Sequence, residues 1–429
     1  MVPLRAQEGV ALLAALILVA LVGVIGATVL MTISTELTIS GNYQRGIQAR
    51  YFAEAGIEEG RARLRGSNVS TTGFIADPLT GYNPWWSAYI LTSSQWTSTE
   101  DRSFSKRYTN FIPLPGSQTN TRVVANSLQS TFPYWVKIRH KTEYDAERGG
   151  HRTTTPHYLD DDGSLKRHTK AHPGEIIYYG YPEGGSGIPV KFTTNTRTEA
   201  FPVEILTAQS NVKGGSSLIE VEVVHPAGPR VLSAVYAKTG VRFVDGPSVI
   251  SGNDQCGVAL AIPPVYTKTP SITQGRVTFH GAPPDPRQGP VDLHLLEAVQ
   301  ELQVGATPLS IALRQGRLGD AASPKTLYAR SFGGEKSGAL TIGHRAGYGI
   351  LLVEGSVTLE GPLAWHGIIV STGTIWLDGT NGPIRIQGGL WGNSILHLTG
   401  LLDISYDRCA IKNALLASPL SEKQWQQQF

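Results

Sequence analysis

The sequence is poor in charge, and the charges that it has nearly cancel. Charged residues make up 17% of the 429 residues, with 37 basic and 34 acidic side chains. This balance gives no basis for a nucleic-acid partner or an acidic tail. Aromatic residues are also few, at 8%, whereas the chain has 48 glycines and 26 prolines, so most of its mass is expected to be turn-rich and β-rich. A chain of this length is expected to hold two or three domains.

The N-terminal region lacks charge over a long stretch. No charged residue lies between Glu8 and Glu36, and residues 10–31 are almost wholly apolar helix formers. About 20 such residues span a bilayer core, whereas the apolar region of a secretory signal runs to about 7–15 residues. We therefore expect a membrane-spanning helix, with Arg5 and the amino terminus on the cytoplasmic side.

Proline is also missing from this region, between Pro3 and Pro78. One continuous helix is therefore predicted over about residues 10–64, because proline would break it and apolar residues recur at helical spacings. Such a helix would be about 80 Å long, with half of it in lipid and half of it amphipathic.

The two ends of the predicted helix carry the residues of a known motif. The segment Arg5-Ala-Gln-Glu-Gly9 precedes Val10-Ala-Leu-Leu, and residues 49–58 read ARYFAEAGIE. Both parts resemble the PilX-type minor pilins of type IV pilus systems. The second part places Phe52, Ala53, Glu54, Ala55, Gly56 and Glu58 in the pattern of that family. The resemblance implies that a prepilin peptidase cuts after Gly9 and that Val10 becomes a mature N-terminus, which is commonly methylated. An unprocessed single-pass anchor is the alternative.

One position departs from the pattern of major pilins. They carry a glutamate at the fifth mature position, where this chain has Ala14. Minor pilins and the K-type pseudopilin of type II secretion can lack that glutamate. The departure argues against a major, filament-forming subunit.

Strand-like alternation begins after the helix and a loop-rich stretch at 67–126. The predicted strands cover residues 134–140, 175–179, 202–206, 217–224 and 230–236. We expect an antiparallel sheet that packs on the second half of the stem helix. A polar excursion is expected at 144–174.

No residue pattern assigns a catalytic, cofactor or metal site. The polar excursion holds His151, His157, His168 and His172 with Asp160, Asp161 and Asp162, but positions 165 and 171 are not the Gly and Glu of an EF-type loop. The spacing of these histidines matches no compact helix or strand face, and solvated loop residues are the preferred interpretation. Residues 184–187 lack the second glycine of a nucleophile elbow, and residues 333–337 lack the glycine spacing of a phosphate loop.

Near the C-terminus, glycine recurs every six residues. The seven positions are Gly343, Gly349, Gly355, Gly361, Gly367, Gly373 and Gly379. Short β-branched strands between glycine corners predict a parallel β-solenoid, whose stacked rungs bury a continuous apolar interior. An antiparallel sandwich with glycine turns is the alternative.

Two cysteines, Cys256 and Cys409, lie at the two ends of this C-terminal region. In an oxidising exterior they could form a disulfide that ties the last strand to the entry segment. Two separately buried thiols are the alternative.

These observations predict an α+β protein with four parts: a leader at 1–9, a transmembrane stem at 10–66, a β-rich head at 67–245 and a C-terminal domain at 246–429 with solenoid repeats at about 341–406. The resemblance implies a non-enzymatic minor pilin in the inner membrane, with a periplasmic head that later reaches the extracellular pilus. Implied partners are other minor and major pilins, the prepilin peptidase, inner-membrane assembly machinery and a tip adhesin. A K-like pseudopilin is one alternative. A membrane-anchored carbohydrate-active enzyme is another, but Glu354, Glu360 and Asp378 are the only acids in the hexad region and each lies beside a glycine.

Overall fold

The computed structural model describes residues 5–64, 84, 86–91, 121–125, 134–148, 174–181, 189–193, 200–212, 214–228, 230–244, 246–257, 259–269, 272–273, 276–331 and 339–428. The helices in these ranges are α1 (Arg5–Leu64), α2 (Glu143–Arg148), α3 (Leu295–Leu302), α4 (Leu309–Arg314) and α5 (Arg408–Leu416). The strands, in chain order, are β1 (Ser87–Leu91), β2 (Thr121–Ala125), β3 (Tyr134–His140), β4 (Tyr178–Gly180), β5 (Val190–Phe192), β6 (Phe201–Pro202), β7 (Glu204–Val212), β8 (Gly215–Val224), β9 (Val235–Ala237), β10 (Val241–Phe243), β11 (Pro247–Ser251), β12 (Val265–Thr267), β13 (Ile272–Thr273), β14 (Arg276–His280), β15 (Arg287–Gln288), β16 (Thr307–Pro308), β17 (Lys325–Arg330), β18 (Leu340–Glu354), β19 (Val357–Tyr406) and β20 (Ser421–Gln428).

The fold is α+β, with one long N-terminal helix followed by a largely β part that contains parallel and antiparallel sheets. Helix α1 covers the continuous helix predicted over about residues 10–64 and begins a few residues before it, at Arg5. Its second half packs on a six-stranded sheet of order β2-β1-β3-β7-β8-β20. We call this sheet the head, and we call α1 the stem.

The head sheet is antiparallel except at one edge, where β1 and β2 pair in parallel. The predicted strand at 134–140 matches β3, and the predicted strand at 217–224 lies within β8. The predicted strand at 230–236 is much shorter in the structure, because residues 230–234 have no strand pairing and β9 begins at Val235. Of the predicted polar excursion at 144–174, the first residues belong to α2, and 149–173, which hold its histidines and Asp160 to Asp162, lie outside the described residues. The glycine motifs at 184–187 and 333–337 and most of 67–126 lie outside them as well.

The C-terminal part winds in stacked turns of parallel strands, and we call each full turn a coil. Leu340 pairs in parallel with Val357, and Gly349 pairs with Gly367, so each partner lies 17 or 18 residues further along the chain. Parallel pairing at such an offset requires the chain to complete a full turn between the partners, and an antiparallel sandwich would not give it. We call residues 235–406 the coil unit. Trp365 and Trp391 are buried in its core.

The spatial order of the coils differs from their order in the chain. The coil formed by β9, β10 and β11 pairs on one side with β12 to β14, which follow it in sequence. On its other side it pairs with residues 390–405 of β19, the last coil to be wound. The coil unit therefore consists of two chain segments that meet where 235–251 lies beside 390–405. We call this boundary the seam.

The coil unit is an insertion in the head and not a C-terminal extension. After α5, the chain returns to the head, and β20 pairs antiparallel with β8 along the sheet. The strands that precede and follow the coil unit are therefore neighbours in one sheet. The predicted boundary at 246 falls after β9 and β10, which already belong to the coil unit. The last strand of the predicted domain 246–429, β20, is part of the head sheet.

Candidate assembly interface

The first half of α1 is an exposed apolar surface. Its most apolar 18-residue window has a mean hydropathy of 2.8, and none of that window is buried within the molecule. Leu13 is 62% exposed, Leu30 70% and Met31 75%. Ala14 lies within this surface, where it contributes no charge. By length and composition this helix is able to cross a membrane.

Hydroxyl groups along the same segment are satisfied inside the helix. Thr28 donates to the carbonyl oxygen of Val24 at 2.6 Å, and Thr32 donates to that of Thr28 at 3.0 Å. Thr35 and Thr38 make the same bond one turn back. Since water is absent from a bilayer core, polar groups there need internal partners. These internal bonds continue beyond residue 31, as far as Thr38.

Small residues in the second half of α1 let the helix approach the head sheet closely. Ala49, Ala53 and Ile57 are almost fully buried. A Cβ atom added at Gly56 would lie 2.9 Å from Cδ2 of Tyr134, and one added at Gly60 would lie 2.9 Å from Cδ2 of Leu206. The contact distance between stem and head is therefore set by two glycines one helical turn apart.

Polar contacts fix the last turns of α1 against the sheet. The Tyr134 hydroxyl donates to Glu59, whose other carboxylate oxygen pairs with Arg63 at 2.6 Å. Arg61 pairs with Glu422 at 2.6 Å and donates to the carbonyl oxygen of Leu420 at 2.9 Å. Arg61 therefore joins the stem to the chain that returns from the coil unit.

The structure places the predicted motif residues on two sides of the stem. Ala53 and Gly56 are buried against the head, Phe52 is half-buried beside them, and Ala55 is exposed. Glu54 pairs with Arg50 at 2.7 Å, and Glu58 pairs with Arg61 at 2.8 Å. Gly9 and Val10 lie in the first turns of α1. Gly60 and Glu59 are not among the residues of the predicted motif, although the four-residue spacing of Gly56 and Gly60 places both on one face of the helix.

The outer part of the head contains buried ion pairs. Lys141 and Lys191 both pair with Glu222, and Arg139 pairs with Asp145 at 2.7 Å. Burial raises the pKa of Glu222, but hydrogen bonds from the two lysines outweigh it and hold that pKa below its ordinary value. Burial likewise raises the pKa of Asp145, but the Arg139 guanidinium together with the hydrogen bonds from Thr142 outweighs this effect and holds that pKa below its ordinary value. Both carboxylates are therefore ionised near neutral pH.

The seven predicted corner glycines all lie against a neighbouring part of the coil unit. Gly349, Gly355 and Gly367 have φ angles of 116°, 111° and 126°. An added Cβ at Gly367 would overlap the carbonyl oxygen of Gly349 on the preceding coil. At the other four positions an added Cβ would lie under 3.0 Å from a neighbouring atom, and these atoms belong to Glu360, Gly382, Ser356 and Thr399 for Gly343, Gly361, Gly373 and Gly379 respectively.

The structure joins Cys256 and Cys409 in a disulfide, with their Cα atoms 5.8 Å apart. Asp254 accepts hydrogen bonds from the backbone amides of Ala259 at 2.8 Å and Arg408 at 2.9 Å. Asp407 caps α5 by accepting from the amide of Ala410 at 2.8 Å. The two sulfur atoms and Asp407 are close enough to share a metal ion, but the sulfurs are bonded to each other here.

Two of the three acids of the hexad region, Glu354 and Asp378, form hydrogen bonds with neighbouring side chains. Glu354 accepts from the Tyr328 hydroxyl at 2.6 Å and pairs with Arg330 at 2.5 Å, and these two bonds keep the pKa of Glu354 below its ordinary value. Asp378 accepts from the Thr380 hydroxyl at 2.5 Å. A glycosidase acid needs a raised pKa, so Glu354 is a poor candidate for that role.

No family model matches the chain, and no curated protein matches its sequence. Among solved structures, the crystal structure of the competence-associated pilin ComZ from Thermus thermophilus aligns with 90% of this chain and 97% of that chain, at 10% identity and a TM-score of 0.18. A TM-score this low carries no argument about function.

Proposed function

We propose that this protein is a minor pilin of a type IV pilus system, held in the inner membrane by α1 and assembled at or near the pilus tip for pilus biogenesis and adhesion. The observation that carries the proposal is the division of α1. Its first half is exposed and apolar, with hydroxyls satisfied internally, whereas its second half packs on an antiparallel sheet through Ala49, Ala53, Gly56 and Gly60. A helix built in this way needs lipid first and neighbouring apolar subunits afterwards.

The remaining parts follow from this role. Residues 1–9 are the leader that a prepilin peptidase removes, and the head faces the periplasm before assembly. We infer that the coil unit is a parallel β-solenoid, displayed by the head and able to hold a tip adhesin or another minor pilin. The protein acts by assembly and not by catalysis.

A K-like pseudopilin of type II secretion is the competing assignment, and Ala14 favours it as much as it favours a minor pilin. The two assignments differ in where the protein ends up. A minor pilin leaves the cell in sheared surface filaments, whereas a pseudopilin remains with the cell envelope.

Intact-mass analysis of the protein extracted from membranes tests the proposal. We expect a mature chain that begins at Val10 and carries one added methyl group. A Gly9→Val variant should keep its leader, while a Gly23→Ala variant serves as a control with unchanged processing. A wild-type chain that retains Met1, or one cut beyond Met31, would contradict the assignment. Mass spectrometry of sheared filaments then separates pilus from secretion system.

A further inference from the structure

The seam differs from the other coil boundaries among the described strands. Elsewhere in the coil unit, strands that pair in parallel belong to chain segments that follow one another, as 340–354 and 357–371 do. At the seam, 235–251 lies beside 390–405, so the two coils have no short peptide connection. Hydrogen bonds and packing alone would have to keep these two coils together.

Several contacts cross the seam. Val241 pairs with Ile395, and Ser248 Oγ lies 3.2 Å from Nδ1 of His397. The amide of Gln255 donates to the carbonyl oxygen of Tyr406 at 3.0 Å. Asp254 reaches across to the amide of Arg408 at 2.9 Å, at the start of α5.

The disulfide crosses the seam at the same place. Cys256 follows β11, the last strand of the first coil, and Cys409 follows the end of β19. The two cysteines are 153 residues apart in sequence. A crosslink that closes so long a loop removes a large amount of chain entropy from the open state. It also supplies the covalent connection that the seam otherwise lacks.

We propose that the Cys256–Cys409 disulfide is a redox-controlled lock on the seam of the coil unit. The cysteines come within bonding distance only when the last coil is seated on the first. Closure breaks two S–H bonds, forms one S–S bond and passes two electrons and two protons to a disulfide-class oxidant. The seam is therefore openable in a reducing compartment and locked in an oxidising one.

This inference uses the proposed function only for where the oxidation takes place, since an exported head meets an oxidising exterior. The lock itself is a property of the folded chain. Its test therefore needs no filament and can fail independently of the pilin assignment.

The test compares amide hydrogen exchange of the full chain in detergent micelles before and after treatment with dithiothreitol, which supplies two electrons and two protons and becomes a cyclic disulfide. We expect exchange in 241–251 and 395–405 to accelerate at least about tenfold on reduction. Exchange in 349–353 and 368–371, where consecutive coils meet, should change by less than about twofold. Equal acceleration in both regions, or none in either, would overturn the proposal.

A pair of variants sharpens the test. Asp254→Asn weakens the bond across the seam, and Asp320→Asn removes a similar carboxylate from an exposed turn within the coil unit. In the oxidised protein neither variant should alter exchange at the seam. After reduction, Asp254→Asn should accelerate it several-fold beyond the reduced wild type, and Asp320→Asn should not. If Asp254→Asn has the same effect in both redox states, the disulfide does not hold the seam.

Discussion

Gly56 shows how one missing side chain positions the stem on the head. A Cβ there would meet Tyr134, Val136 and Ala208 at 2.9, 3.1 and 3.3 Å, and all three belong to the central strands of the sheet. The sheet cannot yield without moving its neighbours, because protein interiors are close-packed. The glycine of the pilin-like motif is therefore explained by a contact and not by flexibility.

We expect Gly56→Ala to destabilise the head by about 1–3 kcal/mol, since it overpacks this contact. Gly46 is the matched control, because nothing lies within 4 Å of its added Cβ. Gly46→Ala should stabilise the helix by up to about 1 kcal/mol. Urea denaturation followed by tryptophan fluorescence measures both changes. Equal effects of the two variants would show that the stem does not pack as described.

At Gly367 a missing side chain allows two coils of the coil unit to approach closely. Gly367 and Gly316 both have positive φ, at 126° and 65°, but only Gly367 has backbone atoms in the space of its missing Cβ. Gly316→Ala should cost roughly 1 kcal/mol from backbone strain alone. Gly367→Ala should cost at least about 2 kcal/mol more, because the side chain would push two coils apart. Thermal melts of the two variants test this prediction. Equal melting temperatures would contradict the role of Gly367 as a corner residue.

These glycines also show what the sequence could and could not predict. The six-residue period predicted a corner at Gly367, because regular spacing is a local property of the chain. The partner of that corner, Gly349, was predictable only as another member of the series. By contrast, the four-residue spacing of Gly56 and Gly60 could indicate a close approach on one helix face, but it could not identify Leu206 as the partner of Gly60, because that contact depends on how a distant strand packs on the stem.

At the scale of elements, single carboxylates link neighbouring coils. Asp292 pairs with Lys238 at 2.8 Å and Lys268 at 3.3 Å. Lys238 follows β9 and Lys268 follows β12, so one carboxylate forms ion pairs with two lysines on adjacent coils. Burial raises the pKa of Asp292, but the Lys238 hydrogen bond, with those from the His294 amide and Lys268, lowers it to about 2.

The sign of the pH dependence follows from that depressed pKa. An unfolded Asp titrates near a pKa of about 3.9, so the stabilisation by Asp292 is fully present above that value and is lost as the pH falls toward about 2. Asp292→Asn should therefore lower the melting temperature at pH 6 and lose most of this difference by pH 2. Melting curves of both proteins between pH 2 and 7 test this. A difference that stays constant across that range would contradict the role of the carboxylate.

Element order was the harder part of the fold to predict. Alternation identified β3 and β8, and the glycine period identified the region of β18 and β19, because each signal is contained within its own segment. The return of β20 to β8 has no such signal, since it joins the end of the chain to a strand about 200 residues earlier. The seam could not be predicted from the sequence for the same reason, since it joins strands that are far apart in the chain.

For the whole molecule, insertion of the coil unit means that two chain connections, and not one, attach it to the head. Both connections leave from adjacent strands of one sheet, β8 and β20, and Arg61 ties the returning chain to the stem. A large unit anchored on the head in this way would collide with its copies if it were repeated along a tightly packed helical lattice. The proposed minor pilin is therefore expected to occur in few copies.

The last prediction concerns position in the filament. In pilins, a glutamate at the fifth mature position is thought to pair with the charged amino terminus of a neighbouring subunit, because neither charge is stable alone in an apolar core. Ala14 cannot form that pair, so this subunit should enter where no such partner is required, which favours the tip, or through a complex whose other members supply the charge. Immunogold labelling should mark filament ends, and deletion should abolish surface piliation or adhesion. Ala14→Glu should redistribute label along the shaft, whereas Ala15→Glu, which places the same charge one position off, should not. Label spread evenly along wild-type filaments, or an Ala14→Glu subunit that stays at the ends, would refute the tip assignment.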